Sequence, residues 1–344
     1  MMLLFYCLVI SLLIHHGNCV YMYEESFFWE VPSISKKSNY KNSKAKGIVL
    51  LFHGCSHKGE HFFKHTDFKM KDGCDKCKST CTKTDCIGLP AEEKIATEVL
   101  RSGYIALSIT SSDRNSKCWS KNDVSIINKA VNEVVRLETL EDNYKIFAFG
   151  ASSGGTMALH LGDLSALSSE KSSLKFRIDG IISQIAIPQT TVIESNKKIL
   201  PPTVIITMSR DMRQMGALDK IKNVYDKLKI PILIQIAKPK KMNTFLFQHY
   251  GISSNLAKKI VDTLEKGKLL NNSYLKDDPR LGAWRDLFKQ KNIIPASIDT
   301  LQEDNSAISE IMNIGYSMHE MTGEYIFESI RWLEKEIEKK EKKK

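Results

Sequence analysis

Six short apolar runs, separated by segments with helical periodicity, constrain the fold of this chain more than any other feature. The runs are GIVLLFHG (47–54), YIALSIT (104–110), KIFAFG (145–150), IDGIISQIAI (178–187), TVIITMS (203–209) and PILIQIAK (231–238). Near-continuous Val, Ile and Leu content is typical of strands that are covered on both faces. The amphipathic segments between them, near 91–102 and 123–140, predict helices. The alternation predicts an α/β fold with a mostly parallel central sheet and helices on both faces.

The alternation stops at residues 242–312, where the sequence shows helical patterns and no strand signal. We therefore expect a helical insertion, interpreted as a lid, between a core of residues 47–241 and a C-terminal core part at 313–335. Residues 20–46 are predicted to form a linker and N-terminal strand region, and residues 336–344 a lysine-rich tail.

The N-terminal segment has the pattern of a targeting sequence. Residues 2–14 form an uncharged apolar run that is too short to span a bilayer, and Gly17 and Cys19 provide small residues for cleavage. We predict a signal peptide at 1–19 and a protein that is secreted or lies in the lumen of the secretory pathway. A retained membrane anchor is the alternative, since no Lys or Arg precedes the apolar run.

The remaining cysteines indicate disulfide bonds. Six lie beyond the leader, and an even number in an oxidising compartment favours disulfides. They are Cys55, Cys74, Cys77, Cys81, Cys86 and Cys118. Four of them fall in a cysteine-rich loop at 73–86, where a CxxC spacing makes zinc the competing interpretation. The sequence leaves the pairing open, and we expect no metal.

The formal net charge of +10 does not predict a nucleic-acid-binding protein, because the basic residues are dispersed or concentrated in residues 36–46 and in the C-terminal tail. These segments are interpreted as solvated surface. Weak contact with an anionic membrane surface is the second interpretation.

The segment GASSGG, between an apolar run and a helical pattern, is the strongest chemical signal. Gly150 to Gly154 match G-x-S-x-G, the turn that exposes a nucleophilic serine at the carboxyl end of a strand. Ser152 is the predicted nucleophile, and Ser153 is the alternative in a shifted register. A packing turn and a phosphate loop are the other interpretations, but the lysine of a phosphate loop is missing.

A nucleophilic serine needs a histidine base and a carboxylate to orient that histidine. Asp211 follows the strand at 203–209, and His319 precedes the final helical segment, which gives the chain order serine, acid, histidine. Taken alone, Asp211 is also explained as a helix cap and His319 as a surface residue. The predicted donors to the oxyanion are the backbone N–H groups of Ser153 and of Cys55, after the first core strand.

These residues belong to a set of motifs that resembles a known family. The motifs are FHGC, CIGLPAEE, CW, FGASSGG, PPTVIITMSRD, DDPR with a following WR, and HEMT. Over residues 47–335 the chain resembles the α/β-hydrolase superfamily, and more narrowly a group of secretory hydrolase-like proteins familiar chiefly from plants. The resemblance implies a serine triad with no cofactor, and it does not imply a substrate. The long insertion departs from relatives whose cap lies before the acid.

The leading functional hypothesis is a serine hydrolase that cleaves a small-molecule ester, thioester or amide through an acyl-enzyme. Trp284 and Phe288 in the insertion are the predicted substrate contacts. A binding protein without turnover and a serine peptidase remain the alternatives.

Overall fold

The computed structural model describes residues 20–23, 26–33, 45–63, 88–167, 172–188, 200–293 and 306–342. The predicted signal peptide at 1–19 and the cysteine-rich loop at 73–86 lie outside these residues.

An eight-stranded sheet forms the centre of the molecule. Its strands are β1 (Val20–Tyr23), β2 (Phe27–Glu30), β3 (Gly47–Phe52), β4 (Ile105–Ile109), β5 (Lys145–Ala151), β6 (Gly180–Gln184), β7 (Thr203–Met208) and β8 (Ile232–Ala237). Their order across the sheet is β1-β2-β4-β3-β5-β6-β7-β8. The β1–β2 and β2–β4 pairs are antiparallel, and the pairs from β4 through β8 are parallel. This is the strand order of the α/β-hydrolase fold, so the predicted fold class is confirmed.

Helices cover both faces of the sheet. The helices are α1 (Pro90–Arg101), α2 (Val124–Glu138), α3 (Ser153–Ser165), α4 (Met212–Met215), α5 (Leu218–Lys227), α6 (Thr244–His249), α7 (Ser254–Lys266), α8 (Ala283–Gln290), α9 (Ala307–Tyr316) and α10 (Ile326–Glu341). Strand β3 shows why its sequence is continuously apolar. Val49 and Leu51 enter the core that contains α1 and α10, whereas Ile48, Leu50 and Phe52 enter the core that contains α2 and α3.

Residues 242–312 contain helices α6 to α8 and the start of α9, and they also contain two short strands where the sequence shows no strand signal. Two-residue strands, β9 (Leu270–Asn271) and β10 (Tyr274–Leu275), pair as an antiparallel hairpin. The turn residues Asn272 and Ser273 both have positive φ angles, of 49° and 69°. Strands this short contain too few residues for period-two alternation to show in the sequence.

The C-terminal helix α10 continues to Glu341, so the first residues of the predicted lysine-rich tail at 336–344 are helical. Lys46 pairs with Glu334 and Lys145 pairs with Glu341. Within the described residues, no helix combines the length and the apolarity needed to cross a membrane.

Candidate active site

The turn between β5 and α3 places Ser152 at the carboxyl edge of the sheet. Ser152 has φ 53° and ψ −115°, a sparsely populated conformation for a residue with a side chain. The flanking glycines are sterically required. A Cβ atom on Gly150 would lie 2.1 Å from the carbonyl oxygen of Gly154, and one on Gly154 would lie 2.4 Å from that of Phe52. The glycines therefore allow a turn tight enough to expose the serine hydroxyl.

The structure brings Ser152, His319 and Asp211 together in one hydrogen-bonded chain. Ser152 Oγ lies 3.3 Å from His319 Nε2, and His319 Nδ1 lies 2.7 Å from Asp211 Oδ2. The carboxylate accepts a hydrogen bond from the Nδ1–H of His319, so Nε2 carries the lone pair that faces the serine hydroxyl. The other oxygen of Asp211 accepts a hydrogen bond from the Gln214 N–H at 3.2 Å. Asp211 is thus both a helix cap and the partner of His319.

The loop that carries His319 is attached to the ends of the neighbouring strands. Ser317 caps the C-terminal end of helix α9 with φ 66°, and His319 itself has φ 46°. The Ser317 hydroxyl donates to the carbonyl of Ala237 at the end of β8. The Arg210 N–H, just beyond β7, donates to the carbonyl of Ser317. These bonds hold the imidazole beside two strand ends, at the sheet edge where Ser152 is exposed.

Arg280 is a functional candidate that the sequence reasoning missed. Its Nη1 donates to the carbonyl of Met318 at 2.7 Å, and its Nη2 donates to the carbonyl of His319 at 2.8 Å. The same guanidinium lies 3.5 Å from a carboxylate oxygen of the buried Glu320. The DDPR motif contains Arg280, but nothing in the sequence shows that the side chain reaches a loop 38 residues away. The insertion therefore contacts the backbone of the candidate base directly.

The loop after β3 lies against the start of α3. A Cβ on Gly154 would be 2.5 Å from the carbonyl oxygen of His53. His53 is fully buried: its Nε2 accepts from the Ser111 N–H, and its Nδ1 lies 2.6 Å from the Gly54 carbonyl. These partners fix the tautomer with a proton on Nδ1, and burial lowers the pKa of His53 to about 3. This histidine is a neutral part of the loop's scaffold.

A disulfide holds the same loop. Cys55 is bonded to Cys118, 63 residues away in the chain. The next residue, Trp119, donates from its indole N–H to the His53 carbonyl at 2.9 Å. The structure shows a disulfide for this pair of the six candidate cysteines. The other four cysteines lie outside the described residues.

An open cavity of about 820 Å³ lies beside Ser152. The cavity is lined by Ser152, Ser153 and His319, among others. Cys55 is not among the described residues that line it. Apolar side chains on its wall include Met157, Leu164 and Ile185, and the exposed cations Lys121 and Arg213 lie at its margin. The cavity therefore offers both apolar surface and positive charge to a molecule bound beside the serine.

The structure does not bring Trp284 and Phe288 to this cavity. Their exposed fractions are 2% and 1%, and their rings pack edge to face at 5.3 Å within the insertion. The Trp284 indole N–H donates to the carbonyl of Pro279. Both side chains fill the core of the insertion, next to the segment that carries Arg280.

A second group of polar residues has the composition of a metal site. The ligand atoms of His57, His61 and Glu92 lie within 4.8 Å of one another, and all three residues are buried. Sequence reasoning missed this group because Glu92 is remote from the two histidines in the chain, and the CIGLPAEE motif gives it no role.

Comparisons with known proteins give a likeness at the level of the fold. No protein-family model matches the chain, and no curated protein sequence is similar to it. Esterase B from Lactobacillus rhamnosis, inhibited by a tributyrin phosphonate, superposes with a TM-score of 0.42 at 10% identity, over 81% of this chain and 89% of that one. The S-formylglutathione hydrolase of Staphylococcus aureus gives a TM-score of 0.39 at 12% identity, over 66% and 91% of the two chains. At these TM-scores and sequence identities, the structural likeness supports no inference about the activity of this chain.

Proposed function

We propose that this chain is a serine hydrolase that cleaves small-molecule esters through an acyl-enzyme. The observation that carries the proposal is the hydrogen-bonded series Ser152–His319–Asp211 at a strained glycine turn beside an open cavity. A positive φ at a serine flanked by sterically required glycines has a conformational cost, and such cost is concentrated at functional sites.

The geometry supports a two-step reaction. His319 Nε2 takes the proton of Ser152 as Oγ attacks the acyl carbon, and Asp211 stabilises the imidazolium that forms. His319 then gives this proton to the leaving oxygen as the bond between that oxygen and the acyl carbon breaks. In the second step a water molecule loses a proton to His319 and attacks the acyl carbon. The bond between the acyl carbon and Ser152 Oγ then breaks as His319 gives that proton to Oγ, and the products are the carboxylic acid and free Ser152.

The tetrahedral intermediate carries a negative charge on its oxygen. Hydrogen-bond donors that are in position before the reaction stabilise this charge. The proposed donors are the N–H of Ser153, the first residue of α3, and the N–H of Cys55. Ser153 lies at the positive end of the helix dipole, which stabilises negative charge. The Cys55–Cys118 disulfide and the His53–Gly54 contact restrict the loop that supplies the second donor.

Substrate class is tested with a panel of p-nitrophenyl esters of graded acyl length, assayed beside a thioester and a peptide amide. We expect the ester series to be hydrolysed, with kcat/KM varying with chain length because the acyl group occupies the cavity beside Ser152. Peptide cleavage with inactive esters would support the peptidase alternative, and a folded protein inactive on the whole panel would support a binding protein.

We also propose that the protein resides in an oxidising compartment, which the Cys55–Cys118 disulfide supports. Alkylation of the unreduced protein followed by peptide mass analysis should leave both cysteines unmodified until a reductant is added. Alkylation of both without a reductant would contradict the proposal.

A further inference from the structure

Four buried ionisable residues meet between three elements at the carboxyl side of the sheet. His57 and His61 lie in the segment after β3, Glu92 in the first turn of α1, and Glu310 in the first turn of α9. Their exposed fractions are 6%, 5%, 0% and 5%. None of them takes part in the proposed hydrolysis. Four such groups are rarely buried together without a cation or a complete set of hydrogen bonds.

The hydrogen bonds in this cluster are incomplete. His57 Nδ1 lies 2.7 Å from Glu92 Oε1, and the Ala91 N–H donates to Glu310 Oε2 at 2.8 Å. Among the described residues, His61 Nδ1 has no hydrogen-bond partner. Glu92 Oε2 and Glu310 Oε1 have none except the facing carboxyl group, which can bond only if one of the two is protonated. A buried polar atom left in this way destabilises the folded chain.

The two carboxyl groups can satisfy each other only by sharing a proton. Burial makes a second negative charge on the pair formed by Glu92 and Glu310 unfavourable unless a cation or a proton lies between them. A neutral imidazole at His61 carries a lone pair that can bind a cation. A dication held by two carboxylates and two neutral imidazoles would leave the cluster without net charge.

We propose that His57, His61 and Glu92 bind one divalent transition-metal ion, with Glu310 as the fourth ligand. The ligand atoms of the first three residues already lie within 4.8 Å of one another. Small side-chain movements bring such atoms to zinc distances of about 2.0–2.2 Å. Two imidazole nitrogens and two carboxylate oxygens, closed off from solvent, suit zinc in a structural role. The pair formed by Glu92 and Glu310 then needs no shared proton.

His53 shows why this assignment is specific to His57 and His61. It is equally buried, but its two ring nitrogens are engaged by Ser111 and Gly54. The metal would tie the loop after β3 to α1 and to α9. Helix α9 leads into the loop of His319, and the loop after β3 leads past Cys55. The ion therefore acts as a cross-link between the two segments that flank Ser152, without contact with the substrate.

The test is the metal content of the purified full-length chain. The protein is stripped with dipicolinate, given one equivalent of zinc, desalted and analysed by mass spectrometry for metals. We expect one zinc per chain. His61→Gln and Glu310→Gln should weaken zinc binding roughly 10-fold to 100-fold or more. His249→Gln is the matched control, because His249 is an exposed histidine on α6, and it should bind zinc as the unaltered chain does.

Two measurements on the unaltered chain keep the proposal testable if those variants fail to fold. Zinc should raise the melting temperature, because a ligand that binds the native state alone stabilises it. Cobalt(II) should give the visible bands of a tetrahedral site without the intense near-ultraviolet bands of cysteine thiolate ligands. Thiolate bands would place the metal on cysteines and overturn the proposal. Absence of stoichiometric zinc, cobalt and manganese from a folded chain would also overturn it, and the cluster would then be a carboxyl pair that shares a proton.

Discussion

Two groups that combine histidine with carboxylate side chains lie at the carboxyl side of the sheet, and they differ in solvent access and in hydrogen bonding. In the first, Ser152, His319 and Asp211 form an ordered series beside an open cavity, and the side chain of His319 is 45% exposed. In the second, His57, His61, Glu92 and Glu310 are all less than a tenth exposed, and His61 Nδ1 has no hydrogen-bond partner among the described residues.

The comparison teaches that neighbours, and not residue type, decide what a histidine can do. His319 has a carboxylate on one nitrogen and a hydroxyl on the other, with solvent at hand for protons to enter and leave, which is the arrangement of a general base. His61 is buried, and its Nδ1 has no hydrogen-bond partner among the described residues. The first arrangement suits turnover, and the second suits permanent binding of a cation.

The largest expected effect comes from Ser152→Ala, which removes the nucleophilic oxygen of the proposed triad. We expect kcat to fall roughly 10⁴-fold to 10⁶-fold, because the nucleophile of a triad has no substitute. The melting temperature should stay close to that of the unaltered chain, since the hydroxyl lies at the cavity and not in the core. Initial rates on an activated ester and thermal unfolding measure the two effects.

Ser153→Ala is the matched control for that variant. It removes the neighbouring hydroxyl but keeps the backbone N–H that is proposed to bind the oxyanion. Most of the activity should remain. A loss as large as that of Ser152→Ala would assign the nucleophile to Ser153 instead.

A smaller loss is expected from Asp211→Asn, which tests how the acid orients His319. Asparagine can still accept the Gln214 N–H and cap α4, so the fold should be kept. The amide favours the wrong tautomer of His319, and we expect kcat to fall roughly 10³-fold to 10⁴-fold. Steady-state kinetics across the pH range measures this loss. Unchanged kinetics in Asp211→Asn would show that Asp211 is only a helix cap.

Arg280→Ala tests whether the insertion positions the candidate base. Loss of the bonds to the Met318 and His319 carbonyls should lower kcat roughly 10-fold to 100-fold with little change in KM, since misplacement of a catalytic group by about 1 Å costs this much. Arg280→Lys should recover part of the rate.

Arg285→Ala is the matched control in the same segment. Arg285 bonds to Ser309 and to the Pro279 carbonyl, and it stacks on Trp284. Arg285→Ala should lower the free energy of unfolding and leave kcat largely unchanged. If both arginine variants lower stability alone, the insertion does not position His319.

The smallest kinetic effect is expected from Trp284→Ala and Phe288→Ala. Both side chains are buried away from the cavity, so truncation should cost roughly 3–5 kcal/mol of unfolding free energy and leave KM unchanged on every ester. Chemical denaturation and the ester panel measure these quantities. An altered chain-length preference at normal stability would restore the lid interpretation.

The sequence predicted most of the sheet and the whole proposed triad because these signals are local or follow chain order. The GASSGG turn is specified by six adjacent residues, and Asp211 and His319 follow from the order of strands. Arg280 and the cluster around Glu92 could not be predicted, since they depend on side chains from separate elements that meet only in the folded chain. Trp284 and Phe288 illustrate a further limit: an apolar helix face is equally typical of a lid and of a packed core.

Labelling with a fluorophosphonate tests the central claim most directly, because the reagent reacts with an activated serine whatever the natural substrate is. The folded full-length chain is treated, its intact mass is measured, and the adduct is located by peptide mapping. We predict one adduct per chain on Ser152, retained in Ser153→Ala and lost in Ser152→Ala. A folded chain that stays unlabelled, or a Ser152→Ala variant labelled as readily as the unaltered chain, would contradict the account.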